Sequence, residues 1–298
     1  MFNVRSKRGQ RQVQAQMIRM MMRLERALAK NIMAIKKKQI REMAKVVKKG
    51  NLALIDWAVD QHAPALTRTL NVYYTRTISA FGGLVFNEVQ KSPSFMLEVK
   101  GPMEERYWWR MRRWIRQESL NKAQGINYTM KKETRRLIDR GLRREEYDEF
   151  VDAVVAKPMS YTELSKSITD TLAKVAWQAL RIARTEVHTA AVMSTQEATK
   201  TAGEEFGIVW GKYWLAANDE RTRESHAAAG EKYSEENPIP MDAKYEIGRE
   251  DGGVDMLAFP GDPSGSPGNS VNCRCVELYK ELPRAQKPGA GQMVEAEV

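Results

Sequence analysis

The residues whose types could do chemistry crowd into the last third of the chain. Three stretches stand out: Trp214-x4-Asp219-x-Arg221-x-Arg223-x2-His226, then Phe259-Pro260-Gly261-Asp262-Pro263, then Asn272-Cys273-Arg274-Cys275. They hold both cysteines and one of the three histidines of the chain. His226, Cys273 and Cys275 offer one imidazole and two thiolates, and Asp219 is a possible fourth ligand; zinc accepts that set. Side chains at i and i+2 of a strand share a face, so the two sulfurs can converge. Metal-site cysteines more often stand two to four residues apart with a second such pair, so a plainer reading competes. In it Cys273 and Cys275 are small buried apolar residues, and His226 hydrogen-bonds Asp219 or a backbone carbonyl. A hydrolytic site on Asp219, His226 and a metal-bound water lacks an evident general base beyond those ligands. A disulfide between residues two apart is disfavoured, because extended backbone sets their Cα atoms about 6.5–7 Å apart. The chain thus reads as built for a reducing compartment, the cytoplasm.

A second group, Arg184-Thr185-Glu186 with His188, falls inside a helical stretch. On a helix Arg184 and His188 share a face while Glu186 points nearly opposite. One catalytic cluster of all three is poor geometry. The expectation is structural: Glu186 as an ion-pair or cap partner, His188 on the helix surface.

Charge is the other chemical signal. The net charge is +10, but residues 1–50 hold 15 Lys/Arg against 2 Asp/Glu, while from Arg184 onward there are 12 against 20. From Val13 to Lys49 an apolar stripe of Met17, Met21, Leu24, Leu28, Ile32, Ile35, Met43 and Val46 repeats near a 3.6 period. The other face carries Arg19, Arg23, Arg26, Lys30, Lys37, Lys38, Arg41 and Lys45. Dense Lys/Arg suffices for phosphate contacts, so these are the candidate nucleic-acid residues; the plain alternative is a solvated helix face. Tyr107 to Arg116 interleaves Trp with Arg, which suits base stacking. The same segment also reads as an amphipathic helix, with Trp108, Met111 and Ile115 inward.

These groups need elements to hold them. The expected fold class is a mainly α N-terminal region followed by a small α+β C-terminal module. A basic arm and Met-rich helix occupies 1–50, with residues 1–12 disordered. A helical region with the basic and aromatic segment fills 51–157; Gly82-Gly83 weakens or breaks a helix there and 91–103 is a connection. Ser160-Tyr161-Thr162-Glu163 has capping-box spacing. A longer helix follows through Lys200, with Leu172, Val175, Ala179, Ala183, Val187, Ala190 and Ser194 inward and Gly203 as its stop. Strands are expected over 208–216, 244–247 and 271–279, with a short helix at 220–229 capped by Asp219. Residues 283–298 read as a flexible tail. Charged residues make up 29% and mean hydropathy is −0.55, and no apolar run reaches the ~20 residues of a membrane span. The start has no apolar h-region, so no secretory signal is expected.

Ile182-Ala183-Arg184-Thr185-Glu186, the Trp214 to His226 string, Phe259 to Pro263 and Asn272 to Cys275, in this order, resemble the phage Mu protein F-like family of minor head proteins, also called the SPP1 gp7-like head morphogenesis family. The likeness covers about the last 120 residues, within a domain drawn at 158–282. It implies a minor capsid protein inside the virion head near the portal, present in the host cytoplasm during assembly. Implied roles are procapsid assembly and DNA packaging or delivery. Implied partners are the portal protein, the major capsid or scaffold protein and packaged double-stranded DNA. The family supplies no catalytic residues to carry over. Two other readings stand beside it. One is a metal-dependent hydrolase or transferase using the Asp219, His226, Cys273 and Cys275 cluster, or Arg184, Glu186 and His226. The other is a stand-alone DNA-binding protein.

Overall fold

The computed structural model describes residues 6–90, 102–148 and 153–283. Residues 1–5, most of the expected 91–103 connection and the tail from 284 lie outside the described residues. Helix α1 runs over Lys7–Lys48. It starts five residues before the expected disordered arm ends, because the Ser6 hydroxyl accepts from the Gly9 amide and caps the first turn. Gly50, at φ +75°, closes it. A 3-10 turn at Leu52–Leu54 leads into α2 (Ile55–Asp60) and α3 (Ala63–Gln90).

Gly82 and Gly83 do not break α3. The reason lies in α4 (Pro102–Leu142): a Cβ at Gly82 would collide with the Tyr107 hydroxyl, so the glycine makes room for a neighbour. Tyr107 donates to the Ile78 carbonyl across that gap. Met103, Tyr107, Met111 and Ile115 form the buried face of α4, with the expected Trp108 only half-buried at its edge, so the amphipathic reading of the Trp/Arg segment holds with Tyr107 in the central place. Arg106 and Arg110 pair with Glu205, Glu197 and Glu204.

An antiparallel hairpin follows, β1 (Glu145–Asp148) with β2 (Ala153–Ala156). Ser160 then opens α5 (Tyr161–Asp170) with both capping-box bonds formed. Helix α6 (Leu172–Phe206) is the axis of the molecule. Its Ala179, Ala183, Val187, Ala190 and Ser194 are buried as expected, and small side chains let α1, α3 and α4 approach closely. It passes Gly203 and ends at Gly207, which takes the left-handed φ of 61°.

Beyond α6, β3 (Trp210–Leu215) pairs antiparallel with β4 (Ile239–Pro240) on one side and β7 (Val276–Glu281) on the other. Helix α7 (Glu224–Lys232) and α8 (Pro267–Ser270) flank it, and β5 (Tyr245–Gly248) pairs with β6 (Val254–Leu257) in a separate hairpin. The fold class is therefore the one expected, mainly helical with a small α+β module.

The core, however, crosses the boundaries drawn at 50 and 157. Met17, Met21, Leu28 and Ile32 of α1 share one cluster with Tyr74, Phe81, Ala183, Ala190, Trp210, Val276 and Tyr279. A second cluster joins Ile40, Met43 and Val47 to Val59, Met130, Leu164 and Val175. The Met-rich stripe of α1 is an internal packing surface, since unbranched thioethers fill irregular gaps between helices. The third cluster is small and belongs to the C-terminal module: Trp214, Tyr233, Tyr245, Ile247, Leu257, Cys273 and Cys275.

Candidate functional site

The third cluster is where the motifs meet. Strand β3 delivers Trp214, whose amide donates to the Tyr233 carbonyl at the end of α7. That bond sets α7 beside the sheet and turns His226 inward. Asn272, at φ 58°, turns the chain just ahead of Cys273, Arg274 and Cys275, which lead into β7 with their side chains alternating in direction. Both cysteines face His226: the His226 Nδ1 lies 3.7 Å from the Cys273 sulfur and 3.4 Å from the Cys275 sulfur. The three ligand atoms lie within 4.8 Å of one another and all three residues are buried. Trp214 stands edge-on to His226 at 5.3 Å and to Tyr245 at 5.2 Å, so an aromatic ring covers one side of the imidazole.

Asp219 is not part of this group. It is exposed, and its carboxylate accepts from the Arg221 amide and the Thr222 hydroxyl within its own turn. Nor does it cap α7, which starts four residues later than expected, after Arg223. The short polar side chain satisfies the nearest backbone donors first.

Arg274, between the cysteines, faces the other way. Its guanidinium holds both oxygens of Glu25 on α1, at 3.1 and 3.2 Å. Arg184 reaches the same carboxylate at 3.7 Å. Burial and the neighbouring Arg274 cation lower the Arg184 pKa. Thr185 accepts from the Asn272 amide. Glu186 is buried against the Tyr74 hydroxyl at 2.5 Å and Lys122 at 3.3 Å, and burial raises its pKa. The expected ion-pair role of Glu186 is met.

His188 differs from expectation: it is 1% exposed, not on a helix surface. Its Nε2 hydrogen-bonds the Cys275 carbonyl at 2.7 Å. Burial lowers its pKa to about 4 and keeps the ring neutral. Gly261, at φ +79°, lies over this ring, where a Cβ would collide with His188 Nδ1. The Thr189 hydroxyl donates to the Gly261 carbonyl, and Asp262 accepts from the Ala258 and Ser264 amides to hold the loop shut. One sequence signal points to a buried His188: Val187 to Val192 contains no charged residue, and a helix apolar all round is enclosed.

The Cys273 thiol and the His226 ring beside it lower the pKa of Cys275, while burial raises that of Cys273.

The α1 cations lie elsewhere. Arg19, Arg23, Arg26, Lys30, Lys37, Lys38, Arg41 and Lys45 are all exposed. At 100° per residue, Arg19, Arg23, Arg26, Lys30, Lys37 and Arg41 fall within about 60° around the axis, a row roughly 33 Å long. Lys38 and Lys45 flank it. Lys45 pairs with Glu42, and the others form no ion pair among the described residues. Lys36, the odd one out, is buried against Gln178.

The family model described as "Phage Mu protein F like protein" matches residues 128–278, just over half of the chain. The match begins inside α4, thirty residues before the domain boundary expected at 158. Among curated proteins, the NAD(+)--arginine ADP-ribosyltransferase EFV of Enterococcus faecalis (strain ATCC 700802 / V583) is 32% identical over 120 residues, covering 40% of this chain. The chain spans 22% of that relative's length. No solved structure matches.

Proposed function

We propose, since this chain belongs to the phage Mu protein F like family of head morphogenesis proteins, that it is a minor capsid component acting inside the head at the portal vertex. In this reading it assists procapsid assembly and DNA packaging or delivery, and α1 meets the packaged DNA. The portal protein and the major capsid or scaffold protein are its protein partners. The observation that carries the DNA contact is the row of exposed cations on α1, without ion-pair partners among the described residues while the opposite face of the same helix is core. Such a row binds phosphate by releasing condensed counterions, without needing base contacts. Among the described residues no helix is long and apolar enough to cross a membrane.

The test is the salt dependence of duplex binding. Replacing Arg19, Arg23, Arg26 and Lys30 by Ala should lower the log–log salt slope by about 0.9 for each phosphate no longer neutralised. An unchanged slope and affinity would remove DNA from the proposal. Location is tested separately by imaging particles; density at a site far from the portal, or particles without this chain, defeats the portal assignment and favours a stand-alone DNA-binding protein.

A structural role rather than catalysis is favoured by the fate of the motif residues. Arg184, Glu186 and His226 turn to three different neighbours, and Glu186 and His226 are buried. The transferase named above aligns over too little of its own length to bring its activity here.

A further inference from the structure

We infer that His226, Cys273 and Cys275 bind one zinc ion that ties α7 to the start of β7. Zn–S bonds of about 2.3 Å and Zn–N bonds of about 2.0 Å in a tetrahedron place sulfur and nitrogen about 3.5 Å apart. The two sulfur–Nδ1 separations, 3.4 and 3.7 Å, bracket that value. Without a metal, a buried imidazole nitrogen has only weak sulfur partners, a poor exchange for water. Ligand class adds to this, since two thiolates and an imidazole select a borderline-soft divalent cation over magnesium or calcium.

The surroundings are built for the purpose. The Cys275 backbone is pinned by His188, whose own ring is packed under the Phe259 to Pro263 loop. His188 is thus a positioning residue: it fixes the segment carrying both thiolates, as outer partners do around metal ligands. No other His, Cys, Asp or Glu among the described residues joins the group. Three protein ligands leave one position to a non-protein ligand. The local core is small, and small cores gain most from a metal staple. Binding releases the thiol protons, so no redox partner is required.

The full-length chain, purified under a phosphine reductant without chelator, should carry about one zinc per chain by elemental analysis. Asp219→Ala should keep it; His226→Ala and the double variant Cys273→Ser/Cys275→Ser should lose it. Because the variants can fail to fold, wild-type protein stripped of metal is also titrated with Co2+. A thiolate-to-cobalt charge-transfer band supports the site without any substitution. Absence of both zinc and that band, or zinc retained in the folded double-cysteine variant, overturns the inference.

Discussion

The outward row of α1 and the knot of motifs around Cys273 to Cys275 are two dense concentrations of polar chemistry, and the fold treats them in opposite ways. The row keeps its cations in water with no ion-pair partner among the described residues, and of the two lysines flanking it only Lys45 has one, Glu42. In the knot, Arg274, Arg184, Glu186 and His188 each find a buried or half-buried partner on another element. Charges left in water cost the fold nothing and remain available to an outside polyanion. Charges taken inward must be matched, and once matched they join elements remote in sequence. Motif residues of the recognisable kind are therefore not automatically reactive residues; here most of them are fastenings.

The sharpest way to break this contrast is to unfasten the knot. Glu25→Ala leaves Arg274 and Arg184 facing each other unmatched and should cost about 3 kcal/mol, the low end for a buried pair because both guanidiniums are partly exposed. Denaturant unfolding measures it, and a cycle with Arg274→Ala separates the pair from the rest. Met21→Ala should cost about 2–4 kcal/mol by the same measurement, since the site is core; a change near zero would restore α1 as a detachable arm. Gly261→Ala should cost about 1–3 kcal/mol from its positive φ and the clash with His188. Combining it with His188→Ala should recover the steric part only. Arg23→Ala on the outer row should change stability by less than about 0.5 kcal/mol.

Much of this arrangement is legible in the chain itself. The stripe of α1, the capping box at Ser160 and the small-residue face of α6 follow from periodicity and local hydrogen bonding, which neighbours in sequence decide. What periodicity does not show is the object each face meets. The Met stripe reads the same whether it covers a partner or α6, and only the packed structure chooses. Gly82 reads as a breaker because the tyrosine needing its space lies on another helix. Asp219 reads as a ligand or a cap because its competing donors, Arg221 and Thr222, are ordinary turn neighbours. The convergence of His226 with both cysteines follows from alternation, although Cys273 to Cys275 lie just ahead of β7 and not within it. Their convergence depends on the bend at Asn272, which no motif announces.

Glu25 and Arg274 stand 249 residues apart. During synthesis Glu25 leaves the ribosome 249 residues ahead of Arg274, its principal counter-charge. Closing so distant a contact is a late event, because chain entropy is surrendered before the contact repays it. A chain cut short of residue 274 would leave the Glu25 carboxylate with Arg184 alone, while α1 keeps its packing against α3 and α6.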